Sequence, residues 1–414
     1  MLSAAEAEAL ILDRTVPLDR TRDIEILPIE KIAGRILAAP VTSKLDFPHW
    51  DNSAMDGYAV RFADVQQASA ENPIALSVIE EIPAGFAPQK SIAPGQAARI
   101  FTGGMLPDGA DTIVIQEVTE RQGDRVVILQ APQPKAFVRS KAEFYQAGAP
   151  LLPAGLQIGA QAIAVLAAAQ CTEVAVYRRP RVALFSTGDE LVQPHQPLAP
   201  GQIVDSNQYA LSALVTAAGA ERIDLGIVPD RPEALKVAIE QAISQADLVI
   251  SSGGVSVGDY DYVDRILDEL GAKLHVRSVA VKPGKPLTVA TFTQRDRPVL
   301  YFGLPGNPVS ALVSFWRFVE PALRKLSGLP EGWRPVFVQG RTVQELRSDG
   351  KRESYLWGQV RLVDGEFEFQ LAGGSHSSGN LINLAATNGL AIVPIGQTQT
   401  AAGDRTLIML VDRT

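Results

Sequence analysis

The sequence predicts a multidomain protein of α/β plus β class: a central α/β domain with a mostly parallel sheet, a β-rich inserted domain before it, and a small C-terminal β-domain. Three observations predict this. The chain has 414 residues, more than one ordinary core accommodates, so two to four domains are expected. Between residues 181 and about 326, short apolar runs alternate with helical patterns, the signature of strands covered by helices. Stretches 49–130 and 333–414 carry short β-type runs separated by Gly and Pro.

The elements follow in order. Ser3-Ala4-Ala5-Glu6 is a capping box that opens a helix over residues 3–14. Residues 15–48 are mixed, with an apolar stretch from Ile24 to Ile32. Ile74–Ile79, Thr112–Ile115 and Val126–Leu129 read as strands, and Ala131-Pro132-Gln133-Pro134 closes that block as a stiff linker. Leu151–Gly155 precedes an Ala-rich helix from about Gly159 to Gln170. Arg181–Ser186 is a buried strand, and Gln193–Pro197 a loop. A helix from Asn207 carries Leu211, Leu214, Val215 and Ala218 on one face and stops at Gly219. Ile223–Val228 is the next strand. Asp230, with Glu233 three residues on, reads as the cap of a helix whose Leu235, Ala238, Ile239 and Ala242 share a face. Asp247–Ser251 is a third strand. After a Gly-rich loop, Val263, Ile266, Leu267 and Leu270 mark a helix ended by Gly271. A last helix begins at Asn307-Pro308 and carries Leu312, Phe315, Trp316 and Val319.

Composition excludes several functions. Hydrophobic residues make up 46% and charged residues 20%, a globular balance. A net charge of −8 argues against a general nucleic-acid binder, which needs a basic surface. The single Cys171 cannot form an internal disulfide or a thiolate zinc site, and the four His residues form no close pair. No run approaches the roughly 20 apolar residues that span a bilayer. The N-terminus reads as a helix start rather than a leader, so no membrane association and a cytoplasmic location are expected.

Three loops follow strands of the α/β region, where ligands of open parallel sheets bind. They are Ser186–Leu191 with Thr187, Gly188, Asp189 and Glu190; Ser251–Asp259 with Ser252, Gly253, Gly254, Ser256 and Gly258; and Gly303–Ser310. Glycines and free N–H groups at a helix start attract phosphate. The same glycines also suit a tight strand-to-helix turn, and the loop alone does not choose between the two. Glu190 and Asp261 are expected on one rim, suited to Mg²⁺ beside a phosphate; both also read as solvated loop charge. Lys282-Pro283-Gly284-Lys285-Pro286 is a stiff cationic turn, able to hold an oxyanion or simply exposed.

Asp51-Asn52-Ser53-Ala54-Met55-Asp56-Gly57-Tyr58-Ala59-Val60 resembles the signature of the molybdopterin molybdenumtransferases, the MoeA and gephyrin E-domain family. Phe101–Gly104, Thr187–Leu191, Asp205-Ser206-Asn207, Ser251–Gly258, Lys282–Pro286, Leu304–Ser310 and Asn388–Ala391 fit the same family in order. Each is weak alone; together they span nearly the whole chain.

The resemblance implies four domains: residues 1–48 with 139–180 as a discontinuous linker and dimerisation domain, 49–138 as the inserted domain, 181–328 as the molybdopterin-binding domain, and 329–414 as the C-terminal domain. It implies an elongated homodimer with the site at its interface. The implied substrates are molybdate and molybdopterin adenylylated on its phosphate, with AMP released and magnesium assisting. Asp56, Thr102, Glu190, Asp230 and Asp261 fall on family functional positions. Glu190 and Asp261 would handle metal and pyrophosphate. Asp56 and Thr102 would come from the partner subunit. Lys282, Lys285, Ser310 and Ser378 would hold molybdate. An upstream adenylyltransferase and downstream molybdoenzyme chaperones are the implied partners.

The chain departs from the family at three places. Phe144 stands where an acid is usual, and Trp357 where an Arg is usual, with Arg352 a candidate to substitute for it. Before Lys282 a basic position is displaced, leaving Arg277 or Ser278 in register. Two other readings are a nucleotide hydrolase built on the α/β module alone, which has no need of the Asp51–Val60 segment, and a gephyrin-type scaffold without catalysis.

Overall fold

The computed structural model describes residues 1–254, 260–293 and 297–411, with residues 260–262 described in backbone only. Its contacts divide the chain into two compact units. One comprises Met1–Ala39, Gly155–Gly159 and Ala175–Thr414, the other Pro40–Ala154 and Ala160–Val174.

The first unit is built on a six-stranded sheet: β1 (Arg181–Thr187), β2 (Glu221–Val228), β3 (Leu248–Ser252), β4 (Ala272–Ser278), β5 (Pro286–Phe292) and β6 (Val299–Leu304). The spatial order is β2-β1-β3-β6-β5-β4. Strands β2, β1, β3 and β6 are parallel. Strand β5 alone runs against the others, paired antiparallel to β6 on one side and to the edge strand β4 on the other, because the links from β4 to β5 and from β5 to β6 carry no crossover helix and a short link returns a strand antiparallel.

Helices α1 (Asn207–Ala217), α2 (Pro232–Gln245), α3 (Tyr260–Glu269) and α4 (Pro308–Ser314) cover the sheet. Alternation along the strands sorts side chains to two faces. Val182, Leu184, Leu248 and Ile250 pack with Leu211 and Val215 of α1 and with α4. Ala183, Phe185 and Val249 pack with Leu235 and Ile239 of α2 and Ile266 and Leu267 of α3. The sheet is thus covered on both sides, as its near-continuous apolar strands require. The helix Ala4–Arg14, capped by Ser3 and Glu6 as expected, adds Ala7 and Ile11 to the first of these cores.

In the same unit, strands Val336–Thr342, Glu353–Val363, Glu366–Leu371, Gly389–Val393 and Arg405–Leu410 close into a barrel. The 11-residue strand Glu353–Val363 is longer than the short runs anticipated there. Its second half pairs with Glu366–Leu371 and its first half with Gly389–Val393, which is what closes the ring. Val281–Lys282 adds to it in parallel.

The second unit centres on another six-stranded sheet, with Gly57–Val60 between Thr112–Ile115 and Gln96–Ile100, followed by Ile74–Ile82, Arg125–Ile128 and Thr119–Gln122. The expected runs at 74–79 and 112–115 fall within its strands, and that at 126–129 matches the strand Arg125–Ile128 but for Leu129. A Cβ at Gly57 would lie 2.1 Å from the Val114 carbonyl oxygen, so only glycine fits there.

Candidate active site

At the carboxyl ends of β1, β3 and β6 the first unit opens into a crevice of about 660 Å³. The sheet order reverses at β1, which lies between β2 and β3, so the crevice sits at the topological switch point, where open α/β sheets bind ligands. Ser186, Thr187, Gly188 and Glu190 line it from β1, and Ser252, Gly253 and Gly254 from β3. Pro305, Gly306 and Ser310 line it from the turn into α4, and Asp205, Asn207 and Asp230 from the intervening segments. Gly379 and Leu381 come from the C-terminal segment.

Close approach and a positive φ require glycine at Gly253 and Gly254. Gly253 has φ +93°, and a Cβ on it would stand 2.3 Å from the Thr187 carbonyl oxygen. On Gly306 a Cβ would already touch the Gly253 Cα at 3.5 Å. The three strand-end loops therefore meet closely at Gly253. Glu190 folds back over its own turn, its Oε2 2.7 Å from where a Gly188 Cβ would be. Asn207 ties the loops together: its Nδ2 donates to Ser252 Oγ (2.7 Å) and to the Gly306 carbonyl (2.8 Å).

Of the residues singled out from sequence, Thr187, Gly188, Glu190, Asp230, Ser252, Gly253, Gly254 and Ser310 share this crevice. Asp189 stands behind Asp230, accepting its N–H at 3.2 Å. Asp230 is not the cap of α2, contrary to the sequence reading. The helix starts at Pro232, whose fixed φ suits a first position, with Arg231 before it and no side-chain cap. Ser256 and Gly258 lie outside the described residues, as does the side chain of Asp261.

The cationic turn borders the crevice through Pro286. Lys282 Nζ is 3.1 Å from Asp349 Oδ2, and Arg352 approaches the same oxygen at 3.8 Å. Lys285 is half-buried. Ser378 docks the C-terminal segment on α4 by accepting the Val309 N–H at 3.2 Å. Trp357 is buried against His376, with ring centroids 4.5 Å apart and the rings tilted by 41°. Arg277 is paired with Asp264 at 2.9 Å.

Asp56 and Thr102 belong to the second unit. Antiparallel pairing sets Gly57 opposite Ile100, which brings the residues just beyond each strand end together. Asp56 Oδ1 accepts the Thr102 N–H (2.7 Å) and hydroxyl (2.8 Å). These two donors hold the Asp56 carboxyl below the usual carboxylate range. Phe144, also in this unit, is exposed.

Profiles for three regions match the chain: the MoeA N-terminal region (domain I and II) over residues 2–169, a probable molybdopterin binding domain over 183–325, and the MoeA C-terminal region (domain IV) over 339–411. The chain belongs to the MoeA family. Among MoeA relatives, the molybdopterin molybdenumtransferase of Nostoc sp. (strain PCC 7120 / SAG 25.82 / UTEX 2576) is 60% identical over 99% of this chain and 94% of its own length. That of Haemophilus influenzae is 36% identical over 91% of both. The crystal structure of the molybdopterin biosynthesis MoeA protein from Pyrococcus horikosii superposes with a TM-score of 0.83 at 30% identity, covering 100% of each chain. The expected fold class and family are therefore met.

Sequence reasoning named the Asp205-Ser206-Asn207 motif but gave it no chemistry, and it missed Gly379 and Leu381. The available signal for the first was position: a carboxylate and an amide immediately before a helix at the binding end of a parallel sheet. Nothing in the sequence marks the second pair.

Proposed function

We propose that this chain is a molybdopterin molybdenumtransferase acting in molybdenum cofactor biosynthesis. It takes molybdate and adenylylated molybdopterin; water cleaves the phosphoanhydride, AMP leaves, and molybdenum remains on the dithiolene. The observation that carries this reading is the crevice whose backbone wall only glycine permits, in a chain that matches relatives of that name from end to end.

Roles follow from chemistry. The close backbone wall at Gly253 and Gly254 gives the pyrophosphate room to approach, with Thr187, Gly188, Asp189, Ser252, Ser256 and Gly258 around it. The crevice offers carboxylate and hydroxyl oxygens and neither Cys nor His, a donor set suited to Mg²⁺. Among the described residues no three His, Cys, Asp or Glu side chains converge. An ion there would rest on Glu190 and Asp261, completed by water and substrate phosphate. When bound, it neutralises charge on the phosphates. Asp230 lies on the same rim. Lys282 and Lys285 supply fixed charge for molybdate, and Ser310 and Ser378 supply donors. Asp56 and Thr102 of a second copy complete the site, so the working form is a homodimer. No helix among the described residues is long and apolar enough to cross a membrane; we assign the enzyme to the cytoplasm. There an adenylyltransferase would supply the substrate and molybdoenzyme chaperones would take the product.

The test is AMP release from adenylylated molybdopterin with and without molybdate. Molybdate-dependent AMP with molybdenum retained on the pterin is expected. AMP release without retained molybdenum would indicate a nucleotide pyrophosphate hydrolase, and no release a scaffold.

A further inference from the structure

Asp205 and Asn207 line the crevice, are 3% and 7% exposed, and each has an oxygen without a partner: Asp205 Oδ2 and Asn207 Oδ1. Buried polar atoms are nearly always bonded, so two orphans two residues apart in one cavity wall call for a ligand. Their chemistry is fixed. Asp205 Oδ1 accepts the Gln208 N–H at 3.1 Å at the start of α1, which leaves Oδ2. Both amide hydrogens of Asn207 are engaged, by Ser252 and Gly306, so its free end is the carbonyl oxygen. The ligand must therefore present donors to two acceptors. Magnesium does not suit this wall, because it keeps most of its water and these oxygens are shielded from solvent. N–H groups of a flat ring do suit it, and exclusion of water strengthens such bonds. Asp205 already borders the crevice, and the terminal torsion of an Asp side chain is soft, so Oδ2 can turn to a ligand without backbone movement.

Building on the function proposed above, we infer that Asp205, assisted by Asn207, is a specificity residue that reads the amino edge of the pterin. The 2-amino-4-oxo ring offers a ring N–H and an amino N–H side by side, and a carboxylate accepts from both. A 2,4-dioxo ring places a carbonyl oxygen against the same carboxylate and is rejected, since a site built for hydrogen bonds discriminates against a ligand that leaves them unmade.

The test uses the full chain and two soluble probes, 2-amino-4-oxopteridine and 2,4-dioxopteridine, titrated by ligand-observed NMR. Wild type is expected to bind the amino compound about ten- to a hundredfold more tightly, the range for a hydrogen bond to a charged group. Asp205→Asn keeps a side chain competent to start α1 and should reduce the preference to below about threefold. Asp205→Ser, which also caps, checks that the change is not one of folding. An equal preference in wild type and Asp205→Asn overturns the assignment, as does wild type that binds both rings alike or binds neither. AMP release by wild type is measured alongside. If it proceeds while the preference is absent, only the role of Asp205 falls; if it is absent, the proposed function falls as well.

Discussion

A carboxylate oxygen that accepts two hydrogen bonds from one residue gains acidity and orientation together, and Asp56 with Thr102 is such a pair. Thr102→Val removes the hydroxyl and leaves the backbone N–H. The Asp56 pKa is then expected to rise toward the ordinary carboxylate value. Because the wild-type value is depressed, the charged form persists to lower pH, so loss of the donor should move the acidic limb of AMP release to higher pH. The pH–rate profile checks this, and an unmoved limb shows that Asp56 does not titrate in the reaction. Glu190 is exposed on the crevice rim. Glu190→Gln is expected to lower molybdate-dependent AMP release by about a hundredfold or more with an unchanged melting temperature. Normal turnover would place the metal-handling group elsewhere.

At the scale of the element, the loop after β3 depends on its glycine in two ways, the positive φ and the approach to Thr187. Gly253→Ala is therefore expected to destabilise the protein by about 1–3 kcal/mol and to abolish substrate binding, read by urea denaturation and by titration with AMP. Intact binding would mean that the loop does not form the phosphate wall. The helices and strands of the α/β region were legible because their apolar positions recur at 3.6 or run unbroken: Leu235, Ala238, Ile239 and Ala242 are all buried on α2. The glycine loops were legible because few other residues allow such turns. Less legible was what depends on distant partners. Asp205 and Asn207 line a cavity only because α1 starts beside β3 and β6. Asp230 has the sequence of a cap, but Pro232 takes the helix start from it. The reversed strand β5 reads locally like the parallel ones, since it too is a mostly apolar, buried run.

On the scale of the first unit, a buried ion cluster joins three regions far apart in sequence. Arg317, in a π-helical turn following α4, is 6% exposed. It pairs with Glu8 of the N-terminal helix and donates from Nε to Tyr355 Oη in the barrel at 2.9 Å. Tyr355 in turn donates to Glu353 Oε1 at 2.5 Å, beside the point where Val281–Lys282 joins the barrel. Burial raises the Tyr355 pKa, so the phenol stays protonated and keeps donating. None of this follows from periodicity, because Glu8 and Arg317 lie 309 residues apart and each alone looks like a surface charge. Removing one charge of a buried pair strands the other. Arg317→Met should therefore cost about 3–5 kcal/mol, since among the described residues Glu8 is then left with Arg334 at 3.0 Å, whose own side chain is exposed. Adding Glu8→Gln removes the stranded charge, so the double variant should be more stable than Arg317→Met alone. Urea unfolding of wild type, both single variants and the double variant gives the coupling directly. Strictly additive losses would show that the pair contributes packing rather than mutual neutralisation. A double variant as stable as wild type would show that the charges serve to fix one arrangement of the N-terminal helix, α4 and barrel rather than to stabilise it.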